Sequence, residues 1–362
     1  MPESSIVVRP EAPGSPTYTS SSRLQAAGLR SAIDLFVERA RVVPLPQPPH
    51  PVVIADYGAS TGYNSLLPIG AAIAVLRERI RGDQAVIVTH TDVADNDFGQ
   101  LFTTLASDPD SYLTCHSAAF ATAIGRSFYT QILPSDSVTL GWSSWAIHWL
   151  SKLPAPVHDH VLPQFSDDTE VRDAAERQAA GDWHEFVAFR GRELVPQGRL
   201  VVLTVGIGES GELGMRPLIE AVHHVLGELV AAGLVTTEER AAMTVPIVGR
   251  TAKDLLAPFM PKGRFEGLSV EHLDISDAED RFWHQFQTDQ DAAGFGARWA
   301  AFLRAAVFGV LVTGLAGGAH DPRAGEFCDQ LETGVARRLA AKPEPIKITL
   351  AWVVLAKAAP AP

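Results

Sequence analysis

The segment Ile54-Ala-Asp56-Tyr-Gly58-Ala-Ser-Thr-Gly62-Tyr-Asn64 joins an apolar run, an acidic residue and two glycines. A strand that ends on a carboxylate and turns through glycines into a helix builds a cradle for a nucleotide-like ligand at the carboxyl end of a sheet. The spacing is Asp-x-Gly-x-x-x-Gly rather than Gly-x-Gly-x-x-Gly. Asp56 would repel a pyrophosphate. It favours a ligand with an amino group, a sulfonium cation and no phosphate, so these residues point to S-adenosylmethionine over NAD or ATP. The next apolar run, Ala85-Val-Ile-Val-Thr89, continues into His90-Thr-Asp92. An acidic group at the tip of a second strand is where a ribose diol is held by two hydrogen bonds. The bland alternatives are a structural turn and a solvated aspartate among Asp95 and Asp97. The pairing of the two features favours binding.

Other constellations carry less. Gly206-Ile-Gly208-Glu-Ser-Gly211 follows a strong strand, but Glu209 and Glu212 oppose a phosphate, so it reads as a plain loop. His158-Asp-His160 offers two imidazoles with no third ligand near it, and reads as exposed loop histidines. No Gly-x-Ser-x-Gly elbow occurs, and Ser143-Ser144 lies between Trp142 and Trp145, which argues against a serine hydrolase.

The elements that must position these groups alternate. Strands are expected at 52–55, 85–89, 138–140, 199–205 and 346–355. Helices are expected at 20–41, 64–80, from Trp145, and at 168–192, 214–233, 236–243 and 279–316. That order predicts an α/β fold with a mostly parallel sheet. The core would comprise roughly 42–150, 191–275 and 345–362. A helical cap and lid would come from roughly 1–41, 151–190 and 276–344, in one catalytic unit over 1–362.

Composition sets the outer limits. With 30 Lys+Arg against 42 Asp+Glu the net charge is −12, which leaves no chain-wide footprint for nucleic acid or anionic lipid. Apolar residues at 46% are enough for a sizeable core. Two cysteines, Cys115 and Cys328, exclude a disulfide framework. The apolar stretch 305–319 is too short to span a bilayer and reads as a buried helix. Met1 to Gly14 has no basic end followed by an apolar run, so the expected setting is cytoplasmic.

Several segments together resemble the SABATH family of S-adenosylmethionine-dependent carboxyl methyltransferases. Besides 54–64, they are Thr91-Asp-Val-Ala-Asp-Asn-Asp-Phe98, Ser127-Phe-Tyr129, Leu133-Pro-Ser135, Ser143-Ser-Trp-Ala-Ile-His-Trp-Leu-Ser151 and Glu193-Leu-Val-Pro-Gln-Gly-Arg-Leu-Val-Val-Leu203. They run in the family's order, and Tyr18 and Gln25 keep its tyrosine-to-glutamine interval. The resemblance implies a Rossmann-like class I methyltransferase sheet with a helical cap over the active site. It implies S-adenosyl-L-methionine as cofactor and S-adenosyl-L-homocysteine as product. Tyr18, Asp56, Gly58, Asn64, Asp92, Val93, Ser127 and Phe128 are the matching cofactor contacts. Asp56 would meet the methionine end, Asp92 the ribose, and Ser127 with Phe128 the adenine. Gln25 and Trp149 match the positions that hold a substrate carboxylate, with His148 as a second donor or pocket wall. The family likeness also suggests a homodimer.

The departures are Tyr57 for leucine, Thr91 for asparagine, Asp95 for glycine, and Trp145 where tyrosine is common, which reshapes the acceptor pocket. The stretch Ala241-Ala-Met-Thr-Val-Pro246 lacks the magnesium ligands of some plant members, so no metal is expected.

The chemistry fits. A carboxylic acid with a pKa of roughly 4 arrives ionised, so no general base is needed. Alignment and desolvation remain, and they can supply about 7–11 kcal/mol at the favourable limit. Neutral donors such as an indole N–H and a side-chain amide suit a carboxylate. Trp142, Trp145, Ile147 and Met243 are candidates for an apolar acceptor pocket, or ordinary core. The expected activity is methyl ester formation on a small hydrophobic carboxylic acid, benzoate-like, salicylate-like or fatty. The alternatives are transfer to a phenolic or enolic oxygen or a ring nitrogen with His148 as base, and a cofactor-binding sensor without chemistry.

Overall fold

The computed structural model describes residues 29–359. Tyr18 and Gln25 lie outside the described residues. A helix over 29–40, α1, precedes the proline-rich stretch 44–51.

Seven strands form one sheet in the order β3-β2-β1-β4-β5-β7-β6. They are β1 (Val52–Tyr57), β2 (Val86–Asp92), β3 (Ala119–Gly125), β4 (Val138–Ser144), β5 (Leu194–Val205), β6 (Leu268–Asp277) and β7 (Thr349–Lys357). The first five are parallel. β7 runs antiparallel between β5 and β6. The order turns back at β1 and β4, so the carboxyl ends of β1, β2 and β4 open into a crevice, the usual ligand position in such sheets.

The central strands read as nearly continuous apolar runs because both faces are covered. Along β5, Val201, Leu203 and Val205 join one core cluster, while Leu200 and Val202 join the other. Along β7, Leu350, Trp352 and Val354 alternate in the same way with Ala351, Val353 and Leu355. Each valine or leucine among them contributes about 1.5–3 kcal/mol when fully buried. One face carries α1, α2 (Leu66–Arg77) and α6 (Arg216–Ala231); α3 (Phe98–Ser107) and α4 (Tyr112–Cys115) lie toward the β3 edge. The other carries α5 (Thr169–Glu193), which buries Trp183, Phe186 and Val187 on the sheet, and α8 (Ala252–Leu256). A capping box at Thr236 and Glu239 starts α7 (Thr237–Ala242).

The helical segment expected at 279–316 is several helices. α9 (Arg281–Asp289) stops where Gln290 turns left-handed, and the Asp291 side chain caps α10 (Ala292–Leu303). A π-turn over Arg304–Phe308 leads into α11 (Gly309–Val312). Ala292–Val312 is long and apolar enough to cross a bilayer, yet 67% of its most apolar window is buried inside the fold, as expected of a core helix. It packs on α12 (Ala324–Ala341), which packs in turn on α6.

Two further differences from the sequence expectation concern β4 and the missing strands. β4 continues to Ser144, and no helix starts at Trp145. That residue is left-handed, with φ 56°, and its N–H donates to the Leu203 carbonyl at 2.9 Å. β3 and β6 were not expected. Both are largely part-exposed, with Phe120 on β3 exposed.

Candidate active site

A pocket opens where the tips of β1, β2 and β4 meet. Its strand-tip side is Gly58, Ser60, Asp92, Val93 and Asn96. Gly58 has φ +87°, and a Cβ on it would stand 2.3 Å from the Ala146 Cβ, so only glycine fits. The Gly58 and Ala59 amides donate to the Thr91 carbonyl at 2.9 and 3.0 Å, which ties the loop to β2. Asp92 accepts the Ser60 N–H at 2.7 Å on one oxygen and the Val93 N–H at 2.8 Å on the other. Burial pushes its carboxyl up to about 6; these two hydrogen bonds oppose that rise, and the charge of Asp56 adds to it. The Asn96 amide donates to the Ser60 carbonyl at 2.9 Å.

Asp56 is not on the pocket wall. It is 1% exposed, and its Oδ2 lies 2.8 Å from His90 Nδ1. His90 Nε2 lies 2.8 Å from the Tyr112 hydroxyl. A neutral imidazole donating to the carboxylate leaves Nε2 to accept from that hydroxyl. The pocket's carboxylate is therefore Asp92, with Asp56 behind it. Asn64 is half-buried beside the glycine loop, away from the wall.

A second side comes from the loop after β3, where Ser127, Phe128 and Tyr129 face the pocket. A buried ion pair below holds this loop. Arg190 donates to the Phe128 carbonyl at 2.7 Å, the Thr130 carbonyl at 2.9 Å and Glu193 at 2.8 Å. Glu193 accepts the Ile132 and Leu133 amides at 2.6 and 3.0 Å and the Tyr57 hydroxyl at 2.8 Å. The Arg190 guanidinium also lies 4.3 Å from the centre of the Tyr57 ring. Tyr57, unusual by sequence, thus belongs to this network, and burial raises its hydroxyl pKa further.

The third side is the turn after β4, with Trp145, Ala146, Trp149 and Leu150. His148 does not line the pocket. It is 4% exposed, packs against the Trp145 and Trp149 rings, and is pushed down to about 3 by burial and then by Arg250. It is neutral and a poor base at physiological pH. Trp142, Ile147 and Met243 are fully buried core.

The remaining sequence candidates fall elsewhere. Gly206 and Gly208 belong to a loop that pairs Ile207 with Leu213 and Gly206 with Arg250. His158 is exposed, but His160, expected to be so, is 6% exposed and stacks on His223 with centroids 4.7 Å apart. Among the described residues, no three His, Cys, Asp or Glu are grouped to hold a metal ion. Sequence reading missed Ser60, Asn96, Tyr129, Arg190 and Arg250. The carbonyls that Asn96, Tyr129, Arg190 and Arg250 hold lie 20 to 103 positions away, so no local spacing announces these bonds.

Residues 8–357 match the family model described as SAM dependent carboxyl methyltransferase. A methyltransferase of Fusarium sp, LUC1, is 30% identical over 247 residues, covering 67% of this chain and 64% of that protein. The chain thus spans just under two thirds of the length of that fungal relative. The salicylate/benzoate carboxyl methyltransferase of Arabidopsis thaliana is 26% identical over 298 residues, 78% of this chain and 76% of that one. A solved structure of loganic acid methyltransferase with SAH shares the fold, with a TM-score of 0.75 at 20% identity over 97% of this chain and 99% of that one.

Proposed function

This chain belongs to the family of SAM-dependent carboxyl methyltransferases, and we propose that it forms the methyl ester of a small hydrophobic carboxylic acid. The observation that carries this reading is the make-up of the pocket wall among the described residues: one carboxylate, Asp92, two tryptophans, and no lysine or arginine. Such a wall suits a phosphate-free, cationic cofactor beside an apolar acceptor. The residues fit S-adenosylmethionine. Gly58 leaves room where any Cβ would collide, and each Asp92 oxygen keeps a lone pair for a ribose hydroxyl.

When bound, the cofactor supplies a methyl group on a positively charged sulfur. The chain's residues do the rest. Asp92 holds the ribose, and Ser127 with Phe128 borders the adenine. The Trp149 indole N–H donates to the acid's carboxylate, with Gln25 as the second donor by family likeness. The acid arrives ionised, so no side chain moves a proton. Trp145, Ala146 and Leu150 exclude water from the reacting oxygen. A buried, neutral His148 supports this route over one in which it acts as base. The Arabidopsis relative is named for salicylate and benzoate and the solved neighbour for loganic acid, so benzoate, salicylate and loganate are the first acids to try.

Mass spectrometry after incubation with methyl-labelled S-adenosylmethionine and those acids, with fatty acids added, should find a labelled methyl ester of at least one. Label appearing only on phenols or ring nitrogens would reject the carboxyl half of the reading. The homodimer and cytoplasmic setting stay part of this proposal, supported by the family likeness and by a chain with only two cysteines. Sedimentation would test the dimer.

A further inference from the structure

The loop that borders the cofactor side and the turn that carries the acceptor donor are joined by one hydroxyl. Tyr129 follows Ser127 and Phe128 directly and is 7% exposed. Its hydroxyl donates to the Trp149 carbonyl at 2.6 Å, with the Ile147 carbonyl farther off at 3.4 Å. Burial raises the Tyr129 pKa, so the hydroxyl stays a donor across physiological pH.

The other supports of the turn come from elsewhere. Arg250 donates to the Ile147 carbonyl at 2.6 Å and the Ala179 carbonyl at 2.8 Å. The Val248 N–H donates to the His148 carbonyl at 2.9 Å, and the Leu150 N–H to Pro246 at 2.9 Å. Asp182 accepts the Ser151 N–H at 2.8 Å and its hydroxyl at 2.5 Å. None of these belongs to the cofactor loop, and Arg250 meets that loop at the Tyr129 hydroxyl itself. Tyr129 alone among these supports belongs to a segment that would meet the cofactor.

Resting on the methyltransferase reading, we infer that Tyr129 is a positioning residue that couples the two halves of the site: the bond from its hydroxyl to the Trp149 carbonyl makes the orientation of the Trp149 indole depend on cofactor occupancy. Ordering Ser127 and Phe128 against the cofactor orders Tyr129. That in turn fixes the peptide from which the Trp149 side chain projects. By linkage the effect is reciprocal, so an acid on Trp149 tightens the cofactor by the same factor, at least about 5-fold if typical of such coupling. The turn would hold an acid in its productive pose more tightly once the methyl donor is in place.

The test uses full-length protein labelled with 5-fluorotryptophan, with the Trp149 fluorine resonance assigned from Trp149→Phe. The added probe is S-adenosylhomocysteine. In the unsubstituted protein the Trp149 resonance should shift and sharpen at saturation. In Tyr129→Phe, which keeps the ring and its contact with Phe128, the Trp149 shift at saturating S-adenosylhomocysteine should be lost. A shift retained in Tyr129→Phe overturns the coupling, as does an unsubstituted protein that binds the compound with no Trp149 response. Failure of the compound to bind at all instead overturns the methyltransferase reading, so the two failures are distinct. Should Tyr129→Phe not fold, amide exchange decides in the unsubstituted protein. Slower exchange over 145–151 on adding S-adenosylhomocysteine supports the coupling, and unchanged exchange there overturns it.

Discussion

The strand-tip side of the pocket and the turn side are held by different kinds of bonds. At the strand tips, neighbours in the sheet supply the support. Thr91 accepts the Gly58 amide, and Asp92 accepts the Ser60 amide, both across the β1–β2 pair. Parallel pairing brings these groups together as soon as the strands align. The turn from Trp145 to Leu150 lies outside that parallel pairing: backbone reaches it from Leu203 at its start and from the stretch 246–248 at its end. Buried side chains from distant segments hold its Ile147 and Trp149 carbonyls: Arg250 from beyond α7 and Tyr129 from the loop after β3. A cofactor cleft can thus be shared by a whole fold class, while an acceptor pocket is tuned by a few long-range polar contacts.

That comparison can be broken in several places. The largest effect is expected at Glu193, whose carboxylate serves Arg190, two amides and the Tyr57 hydroxyl in a buried site. Glu193→Ala leaves Arg190 unpaired and should cost about 3–5 kcal/mol in denaturant unfolding. A loss under about 1 kcal/mol would mean the loop after β3 is held by something else. Gly58→Val sits where the two sides touch, through Ala146. Left-handed strain and overpacking together should cost about 2–5 kcal/mol, and S-adenosylhomocysteine titration should lose most of its affinity. Trp149→Phe addresses the turn side only. Loss of one hydrogen bond to a charged acceptor should weaken acid binding by about 1.5–3 kcal/mol, with cofactor affinity kept. Equal loss of both would erase the distinction between the sides.

The smallest effect is a pH dependence. Asp92 is held near 6 by burial, above the usual carboxylate range. As pH falls through 6 it takes up a proton and one oxygen ceases to be a pure acceptor, so cofactor affinity should fall by up to about tenfold per unit below that point. At saturating cofactor the rate should stay level through pH 6.5 and fall nearer 4, because His148 titrates at about 3 and the acid itself at roughly 4. A saturated rate that falls through 6.5 would restore a base to the mechanism.

What could be read in advance follows the same division. β1, the glycine loop, β2, β5 and β7 were legible because a doubly covered strand must be apolar throughout and its exit loop needs glycine at fixed places. β3 and β6 hid for different reasons: β3 is made largely of small, part-exposed residues, Ala-Phe-Ala-Thr-Ala-Ile-Gly, and the polar alternation of β6 is broken by a bulge between Val270 and His272. The run after Ser144 carries the apolar content of a helix, but left-handed Trp145 breaks it, and only the bond to Leu203 explains why. Its position at a strand end points Asp56 toward the cofactor. No sequence spacing could show that His90 would claim its carboxylate. The supports of the turn, Tyr129 and Arg250, stand 20 and 103 residues from the carbonyls they hold.

A thermal-melting titration of the full-length protein with S-adenosylhomocysteine, NAD and ATP reads the nature of the strand-tip cleft most directly. The account predicts a rising melting temperature with S-adenosylhomocysteine and none with the two phosphate-bearing nucleotides. Stabilisation by NAD or ATP without any response to S-adenosylhomocysteine would contradict it.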